Sequence, residues 1–257
     1  MSDANHLPVK NAHSLNWMAG GILIVAVALV VATVALQTPA AGSFSSFLQW
    51  AFATNSVQTM WYITRAAGMT AYLLFWLSTV WGLAVSSKIL DNLLHRSFTY
   101  EFHQFLSLLA IGFTGLHIIV LMFDKYLPYS LAQILVPFIS PYRPFWVGLG
   151  VIGLYLALLV TITFYLRGRI GMKAFRVIHV FSLLSFLGVL VHSVMSGSDS
   201  SLTSVLLLYA GTFLAFIFLM LYWTYISIQK NRQKKLATAI VEDTKPSQQV
   251  VSSYNRR

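Results

Sequence analysis

Six stretches of this chain run for about twenty residues or more without Asp, Glu, Lys or Arg: Trp17–Leu36, Ala66–Ser87, Phe102–Phe123, Pro144–Leu166, Val177–Ser198 and Ser200–Gln229. A helix rising 1.5 Å per residue needs about 20 apolar residues to cross the hydrocarbon of a bilayer. Inside that layer no water satisfies the backbone, so an apolar run of this length is expected to be helical. The composition agrees: 57% of residues are hydrophobic and only 9% are charged, against about 25% charged in soluble domains. The expected class is all-α, a polytopic membrane protein with six transmembrane helices in a bundle.

The charges sit between the runs and in the tail, so the net charge of +10 sets topology and is no sign of nucleic-acid binding. Lys10, Lys88, Arg96, the cluster Arg167, Arg169, Lys173 and Arg176, and seven residues after the sixth run fall on one side. Only Arg65, Lys125 and Arg143 fall on the other. Fourteen against three places both termini in the cytoplasm of a cell-membrane protein. The expected segments are a cytoplasmic N-terminal piece, 1–16, a membrane domain, 17–229, and a basic, disordered cytoplasmic tail, 230–257. A basic segment precedes the first run and Ala40-Ala41 follows it, as in a signal peptide, but its uncharged core exceeds the usual span of about 7–15 residues. It reads as an uncleaved anchor. The basic start of the tail reads as a stop-transfer cluster, with contact to anionic lipid or a partner as the alternative. The loop Tyr126–Arg143, with Pro128, Pro137 and Pro141, reads either as a cap over a site or as an ordinary interfacial loop.

Within the runs the telling residues are four histidines. His103 and His117 are fourteen apart in the third run, and His179 and His192 are thirteen apart in the fifth. An ionisable side chain at membrane depth is costly and is usually kept for a function. Both runs enter from the same side, so depth pairs His103 with His179 and His117 with His192, the two pairs separated by about 20 Å. Two ligands per level suit a b-type haem held axially by two imidazoles, and two stacked haems follow. Zinc wants three or four ligands, and no carboxylate or thiolate joins the set. The absence of cysteine excludes disulfides, iron–sulfur clusters and covalent haem attachment. A proton relay would need Asp or Glu well inside the spans. His6, His13 and His95 lie outside the runs and read as solvated.

Fourteen helical steps bring His103 and His117 to within about 40° of one face. Thirteen steps leave His179 and His192 about 140° apart on an ideal helix. Tilt, or a local 3₁₀ or π irregularity between Phe181 and Gly188, is required to bring both to one side. Gly112, Gly115 and Gly188 would offer a side-chain-free surface for a haem plane, or simple helix–helix contact. Phe186 falls between His179 and His192 and reads either as a residue between the macrocycles or as core packing. Arg65 and Arg176 stand at the outer and inner ends, where they read equally as partners for anionic haem propionates or as topogenic, headgroup-binding residues. Two axial histidines saturate iron, so such centres would pass electrons and bind no substrate at the metal.

Around these residues, from Trp61 to Asp199, the chain resembles the ferric reductase-like transmembrane domain family. That family includes ferric reductases, NADPH oxidases and the haem-binding subunit of periplasmic methionine sulfoxide reductase. The likeness is carried by Arg65-Ala-Ala-Gly68 with Ala71-Tyr72-Leu73-Leu74, by His103 and His117, and by Pro141-Tyr142-Arg143-Pro144 before Gly148-Leu149-Gly150. It continues through Arg176-Val-Ile-His179, His192 and Gly197-Ser198-Asp199. The resemblance implies an inner haem on His103/His179 and an outer one on His117/His192. It implies electron transfer from a cytoplasmic or quinol donor to an extracytoplasmic acceptor: a ferric chelate, oxygen or a redox protein. Full members carry a flavin and nicotinamide domain after the last span. Here residues 230–257 follow it, with no Gly-x-Gly-x-x-Gly. FAD or FMN and NAD(P)H would then sit on a partner reductase. The alternatives are a quinol-oxidising cytochrome b, a haem-bearing anchor for a periplasmic enzyme, and a haem-free scaffold or transporter.

Overall fold

The computed structural model describes residues 57–254 apart from 92, 125 and 126, with side chains described for 59–240. The first apolar run therefore lies outside the described residues. The remainder is helical, with no strand among the described residues: α1 Val57–Ser87, α2 Arg96–Met122, α3 Leu131–Leu135, α4 Pro144–Ile170, α5 Met172–His179, α6 Phe181–Ser196, a 3₁₀ turn Ser198–Ser201, and α7 Thr203–Tyr254. Five helical segments are long and apolar enough to cross a membrane, α5 and α6 together forming one of them. Their outward faces carry exposed Leu, Ile and Phe such as Leu207, Leu214 and Phe218, as a bundle bathed in lipid requires.

The helices reach past the apolar runs because a charge ends a hydropathy run without ending a helix. Arg96 opens α2, and Arg167 and Arg169 lie in the last turn of α4, where they oppose the negative end of the helix dipole. The start of α4 at Pro144 is as expected, since proline is at home in the first helical turn. Gly171, at φ 83°, separates α4 from α5, a conformation that glycine alone adopts without strain. α7 continues from the last span through Tyr254. Lys230–Ile240 is built largely of Lys, Arg, Gln, Leu and Ala, all good helix formers that an exposed helix extension can use.

Two antiparallel helix pairs, α1 with α2 and α4 with α6, make the frame, and α7 packs on α1. The core between them is aromatic. Phe186 and Phe216 are 0% exposed and Tyr72 is 1% exposed. Phe186 stacks on Tyr72 with centroids 6.2 Å apart and meets Phe216 at 4.9 Å. Phe186 is thus a core residue joining α1, α6 and α7. Trp76 Nε1 donates to the Thr212 carbonyl at 2.9 Å, and the Tyr72 hydroxyl bonds that of Thr212. Ser185 donates to the Gly153 carbonyl at 2.7 Å, fastening α6 to α4.

Candidate functional site: two facing histidine pairs

α2, α5 and α6 carry the four histidines into the bundle, and the first of the two pairs expected from depth is in ring contact. The rings of His103 and His179 face each other with centroids 6.1 Å apart and planes at 77°. His117 of α2 and His192 of α6 are the second two, each held from behind by a neighbouring helix. The thirteen-residue mismatch is resolved by a break. α5 ends at His179, Val180 is a turn residue, and α6 restarts at Phe181. The Leu183 amide bonds the Val180 carbonyl at 3.1 Å, a three-residue step in place of four. The interruption lies at Val180, before the Phe181–Gly188 stretch in which an irregularity was expected; through that stretch α6 is an unbroken helix.

Three rings have a hydrogen bond at the back nitrogen. His117 Nδ1 bonds the Thr64 carbonyl at 2.9 Å, and His192 Nδ1 bonds the Trp146 carbonyl at 3.1 Å. A carbonyl accepts only, so in both rings Nδ1 carries the proton and Nε2 keeps its lone pair. His103 Nδ1 has a longer contact, 3.4 Å, to the Ser78 hydroxyl, which itself bonds Ser107 at 2.8 Å. His179 Nδ1 is buried without a partner among the described residues.

The same three rings rest on glycines of the neighbouring helix. A Cβ on Gly68 would meet His117 at 2.9 Å, one on Gly82 would meet His103 at 3.0 Å, and one on Gly150 would meet His192 at 2.7 Å. Gly68 and Gly82 are spaced by fourteen residues, like His103 and His117, so the antiparallel pair α1/α2 seats two rings in one register. The glycines singled out from sequence behave differently. Gly112 faces open space and Gly188 packs α6 against the Leu149 carbonyl and Gly153 of α4. Gly112 is about 140° round the helix from His117, which puts it on the outward side. Of the three glycines that seat rings, Gly68 and Gly150 were legible only as parts of the Arg65–Gly68 and Gly148–Gly150 motifs, and Gly82 stood in no motif.

Arg65 is not a free cation. Its Nε donates to Asp199 Oδ2 at 2.8 Å, its Nη2 pairs with Asp199 Oδ1, and its guanidinium lies 4.0 Å over the Trp61 ring. That pair was missed from sequence, although Arg65 and Asp199 stood in two of the motifs, because contact across 134 positions has no local signal. Its carboxylate partner already being Asp199, Arg65 is a poor partner for a second anion. Arg176 is exposed, three residues before His179, with no ion pair among the described residues. The described part of the loop before α4, residues 127–143, folds on the outside of α4: the Tyr155 hydroxyl bonds the Leu135 carbonyl, and Phe138 stacks on Phe145 at 5.9 Å.

The residues fit a haem held by two imidazoles. Two imidazoles binding one ion from opposite sides through bonds of about 2.0 Å have ring centres about 6 Å apart, the separation seen for His103 and His179. A cavity of about 110 Å³ adjoins these two rings, lined also by Ser78, Gly82 and Ser107. Among the described residues no three His, Cys, Asp or Glu side chains gather as a metal cluster. No protein-family model matches the chain, and neither a curated protein nor a solved structure matches it.

Proposed function

We propose that this chain carries electrons across a membrane through two b-type haems, one held by His103 and His179 and the other by His117 and His192. The observation that carries the reading is the facing of His103 and His179, together with the binding of Nδ1 of His117 and of His192 to backbone carbonyls. Such a back-bond fixes the tautomer and ring orientation and leaves Nε2 to bind metal. A bis-histidine haem supplies reversible one-electron storage on an iron with no free coordination position. The protein's part is to hold the rings at two depths, to keep lipid and water off them, and to seat them on glycine.

In this reading the bundle has six spans, the first being Trp17–Leu36, and both termini are cytoplasmic. His103/His179 is the inner level and Arg176 stands beside it as the cation for propionates. The donor is a quinol or a separate flavin reductase using NAD(P)H, and the acceptor is extracytoplasmic: a ferric chelate, oxygen or a redox protein. The resemblance of Trp61–Asp199 to the ferric reductase-like family supports the same assignment.

The test is a reduced-minus-oxidised visible spectrum of the purified chain with haem counted per polypeptide. Two low-spin b-type haems are the expected result. A colourless protein refutes the proposal and favours a scaffold or transporter.

A further inference from the structure

The two helix pairs of the frame need something to fix their separation at the end that carries His117 and His192. Midway down the bundle the Tyr72–Phe186 stack does this. At the His117/His192 end the tie is ionic. Arg65 of α1 grips Asp199 of the 3₁₀ turn after α6 through two nitrogens, and fork-to-carboxylate pairing fixes direction as well as distance. Trp61 lies against the guanidinium at 4.0 Å and limits its swing.

Each half of this pair leads directly to a ring. Arg65 follows Thr64, whose carbonyl accepts from His117 Nδ1 at 2.9 Å. Asp199 sits in a turn whose Gly197 amide and Ser200 hydroxyl both bond the Ser193 carbonyl, at 3.0 and 3.2 Å. Ser193 is the residue after His192. One path therefore runs from the ion pair to the ring on α2 and the other to the ring on α6. We infer that Arg65 and Asp199 are positioning residues, a clasp that sets the distance and tilt between His117 and His192. At the His103/His179 end the Gln104 amide of α2 donates to the Tyr165 hydroxyl of α4 at 3.0 Å, a neutral tie, and no ion pair joins the helix pairs there among the described residues.

The inference rests on the haem reading for its functional meaning, but not for its geometry, so two measurements are made on the full chain. In the first, low-temperature electron paramagnetic resonance of the oxidised protein is recorded for the parent, Asp199→Asn, Asp199→Glu and, as reference, His117→Ala. The low-spin signal absent from His117→Ala is expected to shift or broaden in Asp199→Asn and to return toward its parental position in Asp199→Glu. The other signal is expected to stay. Two unchanged signals in Asp199→Asn, or equal disturbance of both, overturn the clasp.

The second measurement needs no haem. The chain has no cysteine, so Tyr62→Cys with Ser201→Cys accepts one pair of spin labels at exposed positions on the two sides of the clasp. Asp199→Asn is expected to widen or lengthen the distance distribution between the labels, and an unchanged distribution overturns the inference. If the parent binds no haem but the label distance still responds, the clasp stands and the electron-transfer reading falls.

Discussion

The two ends of the bundle hold the same chemistry by different means. At one end the back nitrogens of both His117 and His192 bind carbonyls, both rings sit on glycine, and an ion pair ties the flanking segments. At the other, His103 has one long contact to a hydroxyl, and His179 closes a short helix with its back nitrogen unpartnered. A buried polar atom left unpaired costs about 1–3 kcal/mol. The first end is preorganised, while the second is framed by a glycine turn before it and a helix break after it. Ligand geometry should therefore be stiffer at His117/His192 and more adaptable at His103/His179.

The largest expected effect comes from removing a ligand. His117→Ala or His192→Ala should take the haem count from two to one per chain and abolish electron transfer to an external acceptor. The remaining haem should keep its own spectrum, and an unchanged count of two sinks the pairing. Next comes Gly150→Ala. The added methyl would lie 2.7 Å from the His192 ring, and overpacking of this kind costs about 1–3 kcal/mol. It should weaken the His192 site, read as lost haem, whereas Gly112→Ala, which meets nothing, should leave both sites intact. If the two variants behave alike, glycine seating is irrelevant.

A smaller effect is expected from Gly171→Ala, which forces a side chain into φ 83° at a strain of about 1–2 kcal/mol. Thermal denaturation should record that loss, and any spectral change should be confined to the His103/His179 level. The smallest concerns the loop beyond the spans. Burial raises the Tyr129 phenol above its ordinary value of 10.0, against the lowering effect of its hydrogen bond to Ser140. The raised value means that stability from the neutral phenol is complete below pH 10 and is lost as the pH climbs through the folded value. Tyr129→Phe should flatten that alkaline loss in a pH series of melting temperatures.

Depth and period were readable in the sequence. Five of the expected runs became helical segments near their expected places, and rise per residue alone paired His103 with His179. What could not be read required the lateral register between helices. The seating of His117 on Gly68 and of His192 on Gly150 depends on how far neighbouring helices slide, and no local pattern encodes that. The thirteen-residue spacing called for tilt or an irregularity between Phe181 and Gly188, whereas the break falls earlier, at Val180, and α6 then packs unbroken on α4 through Ser185 and Gly188. Arg65 and Asp199 each read as a residue beside a span, and only the closed bundle joins them.

The fourteen-residue match between Gly68/Gly82 and His103/His117 makes α1 a ruler as well as a wall. Between its two glycine marks, side chains can be exchanged wherever they face lipid, but the number of residues is not free. Deleting one would turn the far mark by about 100° and bring a bulky neighbour against a ring, evicting one histidine while its partner stayed seated. For the same reason a gain or loss within the loop between α1 and α2 should be absorbed. Descendants of this chain should therefore differ in loop length long before they differ in the length of this segment.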